Sequence, residues 1–411
     1  MVGARTSGGR GGGILAIAAA VLGAAFLAAT SYLAISAAIT GNVDRDGEIV
    51  TTGELGRLSP GELADAGAGA SSAFVRAPLD ATNVIALSRI AEVEGKAEAS
   101  ERLKLTAGEM IRRDTGVQVE ALTIFLERGD YDQVMYSLDG LTRSQPDEAE
   151  NFFALAAEIS DDQDGSKAVA RMLATDPPWR PQFFAYLISK GQPQVASRIM
   201  NDIRGLSAPV QDSELAGVIN YYIQAGDFDQ AYAAWLSSLS EEELKDVKRI
   251  YDGGFRHPVR GLRFDWTVRP ADGLAYRQFP RNTASMDQTL QLEFQDFAGG
   301  VSNLSQILNL RPGRYRLSGE VRFEGFASPT GLVFRLYCLD GGSPKALDET
   351  APLPQSTQWI SFDKSFEVPS EKCVNQILQL ESKTRLLNSQ LTRGMIAIDA
   401  MVIDSLPSLA P

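Results

Sequence analysis

The sequence predicts a multidomain α + β protein: an N-terminal transmembrane helix, an α-α solenoid, and a C-terminal antiparallel β-sandwich of the jelly-roll class. Three observations carry that reading. Ile14 to Ile39 is an unbroken run of apolar and small residues, glycines recur at a near-constant step through the middle of the chain, and apolar and polar residues alternate from Tyr315 to Phe323. The first has the length of a bilayer span, the second the spacing of stacked helical hairpins, and the third the period of a half-buried strand.

A chain of 411 residues holds more than one core, because single domains usually stop near ~100 to 200 residues. Hydrophobic residues at 44% and charged residues at 22% are ordinary globular values. The net charge of -13, with no cluster of Lys and Arg, excludes binding along a nucleic-acid backbone. There is one histidine, His257, and there are two cysteines, Cys338 and Cys373. That census rules out His-rich zinc sites and four-cysteine clusters, so no metal set is assigned, and it leaves a hydrolytic triad only if His257 takes part.

Residues 1-13 are glycine-rich, with Arg5 and Arg10 and no acid, and residues 14-39 carry no charge and no proline. At ~1.5 Å per residue that run crosses a ~30 Å hydrocarbon layer. Asp44, Arg45, Asp46, Glu48 and Glu54 follow, net acidic. Basic before and acidic after puts a cytoplasmic tail over 1-13, a single pass through a bacterial inner membrane over 14-39, and the bulk in the periplasm. The alternative is a cleaved signal peptide using the small residues Ala34, Ser36, Ala37 and Ala38; the length of the apolar run favours an uncleaved anchor. No cysteine lies near the end of the segment, which excludes a lipoprotein anchor. Residues 40-77 are rich in Gly, Ser and Ala without a sustained period and read as a flexible stalk.

The middle of the chain repeats itself. Gly95, Gly129, Gly165, Gly191 and Gly226 are each followed, five residues on, by a small or β-branched residue: Ser100, Val134, Ala170, Ala196 and Ala231. Most steps are close to about 34 residues, the period of a helix-turn-helix repeat. Helical spacing flanks the glycines, as in Val119, Leu122, Phe125 and Leu126 before Gly129 and Val134, Leu138 and Leu141 after it. Glycine suits the corner, where the first helix ends in a conformation that a Cβ resists. The small residue lets the second helix lie close. Residues 78-245 thus resemble a degenerate tetratricopeptide (TPR) array of about five units, best matched by the Gly-Asp-Tyr/Phe-Asp-Gln corners at Gly129 and Gly226. The resemblance implies a groove that binds a protein partner and implies no catalysis; a plain spacer is the alternative. Asp176-Pro-Pro-Trp-Arg180 interrupts the array, its tryptophan read as a packing plug.

Beyond Leu244 the composition changes. Eight strand candidates follow: 265-268, 290-294, 305-310, 314-323, 332-339, 359-368, 375-380 and 395-403. Pro312-Gly313 launches a strand with Tyr315, Leu317, Val321 and Phe323 on one side and Arg314, Arg316, Ser318, Glu320 and Arg322 on the other. The order of cues from Leu290-x-Leu-x-Phe294 through Arg314 to Phe323, Trp359 and Gly394 to Ile403 makes residues 255-407 resemble the galactose-binding-like β-sandwiches, including several carbohydrate-binding modules. That resemblance implies polysaccharide as a ligand. In calcium-containing members the final-strand acid, here Asp399, often belongs to a structural metal site; its partners have no match here, so calcium is at most a minor cofactor.

Polar and planar side chains opposite the apolar stripe are the glycan-binding candidates: Arg316, Glu320, Arg335, Tyr337, Gln379 and Glu381. A solvated sheet face is the competing account of the same residues. Trp266 and Trp359 read as core, and His257 as a linker residue with no partner acid near it. In an exported chain Cys338 and Cys373 read as a disulfide, with two buried thiols in adjacent strands as the alternative. Two functions follow. One is a non-catalytic periplasmic adaptor, accessory to exopolysaccharide or envelope polysaccharide production, whose array holds a protein and whose sandwich contacts a glycan or another subunit. The other is a polysaccharide-acting enzyme using paired carboxylates among Glu293, Asp296, Glu320 and Asp399.

Overall fold

The computed structural model describes residues 58-111, 115-281, 288-339, 344-384 and 390-407. The chain forms two compact units, one ending at Val210 and the other beginning at Gln211. The tail, the apolar run over 14-39 and residues 40-57 lie outside the described residues. Among the described residues no helix is long and apolar enough to cross a membrane.

The first unit is helical: α1 (Pro60–Arg76), α2 (Ala81–Val93), α3 (Ala97–Met110), α4 (Thr115–Arg128), α5 (Tyr131–Ser144), α6 (Ala149–Ile159), α7 (Gln163–Ala174), α8 (Arg180–Ser189) and α9 (Pro193–Gly205). Helix α1 falls inside the stretch expected to be flexible stalk, and the correction has a local cause. The Ser59 hydroxyl accepts from the Glu62 N–H at 3.4 Å while the Glu62 carboxylate accepts from the Ser59 N–H at 2.8 Å, a capping box with Pro60 at the first helical position. Alanine-rich composition reads equally as linker or as helix, and the cap decides between them.

From α2 to α9 the helices pair into hairpins. Gly95, Gly129 and Gly191 stand at corners with φ of 73°, 69° and 69°, the left-handed conformation that favours glycine. Ser100, Val134, Ala170 and Ala196 are all buried, so the small residue does sit at the helix contact. Gly165 is the exception to the corner reading. It lies inside α7, whose cap is the Asp162 carboxylate accepting from the Asp164 and Gly165 N–H groups. Its role is proximity: a Cβ there would stand 2.0 Å from the Ile159 carbonyl oxygen. Gly165→Ala therefore forces the α6–α7 corner apart, at about 1 to 3 kcal/mol or more, whereas Gly129→Ala meets open space and carries only the conformational penalty of about 1 kcal/mol. Thermal unfolding of the two variants tests that order.

Neighbouring hairpins are tied through their second helices. Arg171 on α7 donates two bonds of 2.8 Å to Asp132 on α5, and the Ser166 hydroxyl donates to Asp202 on α9 at 2.5 Å. The 176–180 segment is a joint within this stack rather than an interruption of it. Trp179 is buried against Phe153 and Phe183, its Nε1 donating to Asp139 at 2.8 Å. Arg180, 1% exposed, donates to the carbonyls of Leu173 and Pro209.

Among the described residues the second unit contains α10 (Asp212–Gln224), α11 (Phe228–Leu236), α12 (Glu241–Leu244) and ten strands: β1 (Thr267–Val268), β2 (Leu274–Pro280), β3 (Gln288–Ala298), β4 (Leu304–Leu308), β5 (Gly313–Ala327), β6 (Leu332–Cys338), β7 (Lys345–Glu349), β8 (Ile360–Val368), β9 (Gln376–Ser382) and β10 (Leu391–Ser405). The hairpin α10–α11, with Gly226 at its corner at φ 77°, belongs by its contacts to the sandwich. Trp235 packs on Tyr251 and Phe264 at 5.1 and 5.8 Å between ring centroids. The Gln306 side chain on β4 bonds both the N–H and the carbonyl of Tyr251, at 2.9 and 3.0 Å, and Arg260 pairs with Asp212. The change of composition after Leu244 marks where strands begin; the compact unit starts earlier because aromatic packing, which composition does not report, draws the last hairpin in.

Strands β1-β4-β9-β6-β7 form one antiparallel sheet, sheet A, and β2-β3-β10-β5-β8 the other, sheet B. Their facing sides share one core, with Leu304, Phe334, Leu336, Leu378 and Leu380 from A meeting Leu292, Leu317, Val321, Phe323, Ile396 and Ile398 from B. Every core residue of β5 expected from the alternation is buried. Two strands, β2 and β7, had no such signal: both are edges, and their residues are half-buried or exposed without alternation. Cys338 and Cys373 are disulfide-bonded, their Cα atoms 4.8 Å apart. Cys338→Ser paired with Cys373→Ser is expected to cost the second unit roughly 3 to 4 kcal/mol, read as a lower urea midpoint.

Candidate functional site

The six glycan-binding candidates divide between the outer faces of the two sheets. On sheet A, the inward row of β6 and β9 points Arg335, Tyr337, Gln379 and Glu381 outward, and register sets Arg335 opposite both Gln379 and Glu349. Arg335 pairs with Glu381 and with Glu349, both at 2.6 Å, and the Tyr337 hydroxyl donates to Glu381 at 2.8 Å. Lys383 completes the set on Glu349. Burial pushes the Tyr337 hydroxyl up from its ordinary value, aided by Glu381 and opposed by Arg335, so it remains a donor. Gln379 donates instead to the Ser302 carbonyl at 2.5 Å. The geometry is a closed network in which each group already has its partner, and a ligand entering here would first have to break it.

Sheet B is different. Read in register across the strands, Arg277, Gln291, Ala397 and Arg322 make one row, and Asp399, Glu320 and Ser361 lie in the next. Trp359 stands just before β8. Arg281, following β2, reaches over this face: its guanidinium pairs with Asp399 at 2.9 Å and with Glu320 at 2.5 Å, and lies 4.7 Å from the centroid of the Trp359 ring. Arg322 lies 5.6 Å from the same ring. Burial works against the Arg281 charge, but the two carboxylates outweigh it and raise its pKa above the usual arginine value. Although they point away from the core, Asp399 and Gln291 are each 3% exposed. An indole ring, guanidinium planes and carboxylates on one sheet face are the groups that stack on a sugar ring and bond its hydroxyls.

Of the expected residues, then, Glu320 joins this cluster, while Arg316 is exposed and pairs with Asp363 at 3.2 Å. Arg281, Arg322 and Trp359 were not among them. Trp359 is a correction to the core reading: Trp266 is buried in the core, but Trp359 is half-buried on the outer face. A signal existed, since the inward set Phe362, Phe366 and Val368 fixes the parity of β8 and puts Trp359 on the opposite side. No local period marks Arg281. Asp399, the acid a calcium site would use, faces a guanidinium, a poor neighbour for a cation. Of the other acids proposed for chemistry, Asp296 pairs with Arg393 and Glu293 accepts from Gln295.

His257 also has a partner that the sequence did not suggest. Its Nε2 is 2.8 Å from Asp246, and Arg256 pairs with the same carboxylate. Asp252, buried beneath them, accepts from the backbone N–H groups of Arg256 and His257 at 2.8 and 2.9 Å. Burial raises its pKa against those two bonds. These bonds close the 246–257 segment on itself, and Gln278 on β2 donates to the Phe255 and His257 carbonyls at 2.8 and 2.6 Å.

No profile of a known protein family matches the chain, and neither does any curated protein. Solved structures similar to part of it include CBM4, at 12% identity, covering 38% of this chain and 99% of that one with a TM-score of 0.29. The CBM22-1 xylan-binding domain of Paenibacillus barcinonensis Xyn10C is 18% identical, covering 35% of this chain and 87% of its own, with a TM-score of 0.26. A family 16 carbohydrate-binding module is 14% identical, covering 33% and 89%, with a TM-score of 0.25. These three structures are all carbohydrate-binding modules.

Proposed function

We propose that this chain is a non-catalytic, membrane-anchored periplasmic adaptor whose sandwich binds a glycan through the Trp359 face of sheet B. The helical array, which resembles TPR repeats, holds a protein partner in its groove, and residues 14-39 anchor the chain to the inner membrane. The observation that supports the reading best is the place of Trp359, a large ring kept out of the core and set among Arg281, Arg322, Glu320 and Asp399. A role accessory to exopolysaccharide or envelope polysaccharide production follows from joining a partner-holding array to a glycan-holding module on the periplasmic side of the membrane.

Glu320 and Asp399, neighbours in register, favour a second reading, a polysaccharide-acting enzyme. A single guanidinium bridges both, which suits charge pairing better than a division into acid and base. Native gels containing polysaccharide separate the two. Retardation of the protein without new reducing ends supports the adaptor. Reducing ends that disappear in Glu320→Gln or Asp399→Asn establish the enzyme. Retardation by no polysaccharide at all sinks the glycan reading.

A further inference from the structure

The Trp359 face carries, beside the indole, a guanidinium that no carboxylate among the described residues neutralises. Arg281 is held by two carboxylates, yet Arg322, whose guanidinium shares the same indole, makes no ion pair among the described residues. Its Nε–H is buried and has no hydrogen-bond partner among the described residues. Buried donors are nearly always paired, and a charged one without a partner is costly to keep. Register sets Ala397, the smallest side chain in the row, directly beside Arg322, with Gln291 beyond it. Both neighbours are covered, at 0% and 3% exposed, and Gln291 already accepts from Arg277, so the guanidinium beside the ring is the group left for a ligand.

We propose that the ligand of this face is an acidic glycan, a sugar carboxylate pairing with Arg322 while the sugar ring lies against Trp359. The inference rests on the glycan-binding reading of the same face and narrows it to a substrate class. A guanidinium offers parallel N–H donors that match the two oxygens of a carboxylate, and stacking on an aromatic ring fixes its plane in advance. A neutral sugar would leave the charge as it is. The net charge of -13 makes the overall field of the protein hostile to a polyanion, so the preference must come from a local cation.

The test uses alginate, polygalacturonate and hyaluronan beside their carboxyl-reduced counterparts, which keep the backbone and erase the charge, with the whole protein in affinity gels and calorimetry. At least one acidic polymer is expected to bind about 10-fold more tightly than its reduced form, a difference of about 1.4 kcal/mol. In Arg322→Gln that preference collapses to within about twofold, and in Arg322→Lys, which keeps the charge without the fork, it falls partway. Circular dichroism melts check that both variants are folded. Equal binding of acidic and reduced polymers, or a preference that survives Arg322→Gln, overturns the acidic-glycan inference and leaves glycan binding standing. Binding to none of the six polymers overturns both.

Discussion

Trp359→Ala is expected to lower glycan affinity by at least about 30-fold while leaving the fold intact, whereas Trp266→Ala unfolds the sandwich. The first figure corresponds to the loss of ~2 kcal/mol or more when a central aromatic anchor is truncated. Removing the indole takes away the stacking surface and also releases Arg281 and Arg322, which share it. Trp359 is half-buried and is not part of the buried core cluster of the sandwich. Trp266 is the opposite case: it is 2% exposed, packs on Phe255 at 5.2 Å, and donates from Nε1 to the Asp252 carbonyl at 3.1 Å. Truncating such a side chain costs about 3 to 5 kcal/mol. Calorimetric titration with a bound polysaccharide, beside thermal melts of both variants, gives the comparison. A Trp359→Ala protein that binds like the parent, or melts like the Trp266 variant, would remove the basis for placing the site on sheet B.

The two tryptophans also show how far the sequence is legible. Where one face is wholly apolar, as in β5, alternation predicts strand, side and core together, because a one-residue slip would bury Arg316 and expose Leu317. Trp359 sits one residue outside its strand, so its side is fixed only by counting back from Phe362, and its hydrophobicity argues for the wrong answer. Parity sets the candidates Arg335, Tyr337 and Glu381 on one face, but parity is silent on partners, and what stands there is a closed network on sheet A. Arg281 becomes important through contacts with Glu320 and Asp399, residues 39 and 118 positions away, and no local pattern encodes those. The glycine repeat shows the same limit. Spacing located the hairpins, yet Gly165 serves helix approach rather than turn geometry, and only the backbone separates the two roles.

Asp265→Asn is expected to stabilise the second unit by several kcal/mol at pH 8 and to leave it unchanged near pH 3. Asp265 is 3% exposed just before β1, its Oδ1 accepting from the Leu262 N–H at 2.6 Å. Burial lifts its pKa from 3.8 to about 7, opposed by that bond and by Arg260. The folded chain therefore keeps this proton through a range in which the unfolded chain has lost it. Fewer protons bound in the unfolded state means that stability falls as pH rises: the contribution is fully present below about pH 4 and is gone above about pH 7. The rise from 3.8 to about 7 corresponds to ~4 kcal/mol. Asparagine keeps the Oδ1 acceptor and never ionises, so it removes this component of the pH profile. Asp252, whose pKa is also raised by burial, is present in both proteins and drops out of the difference. Urea unfolding at intervals from pH 3 to pH 8 gives the two curves. If they run parallel, the carboxylate is reached by water when ionised, and the packing of the 246–266 segment against the sandwich is looser than its hydrogen bonds and aromatic contacts imply.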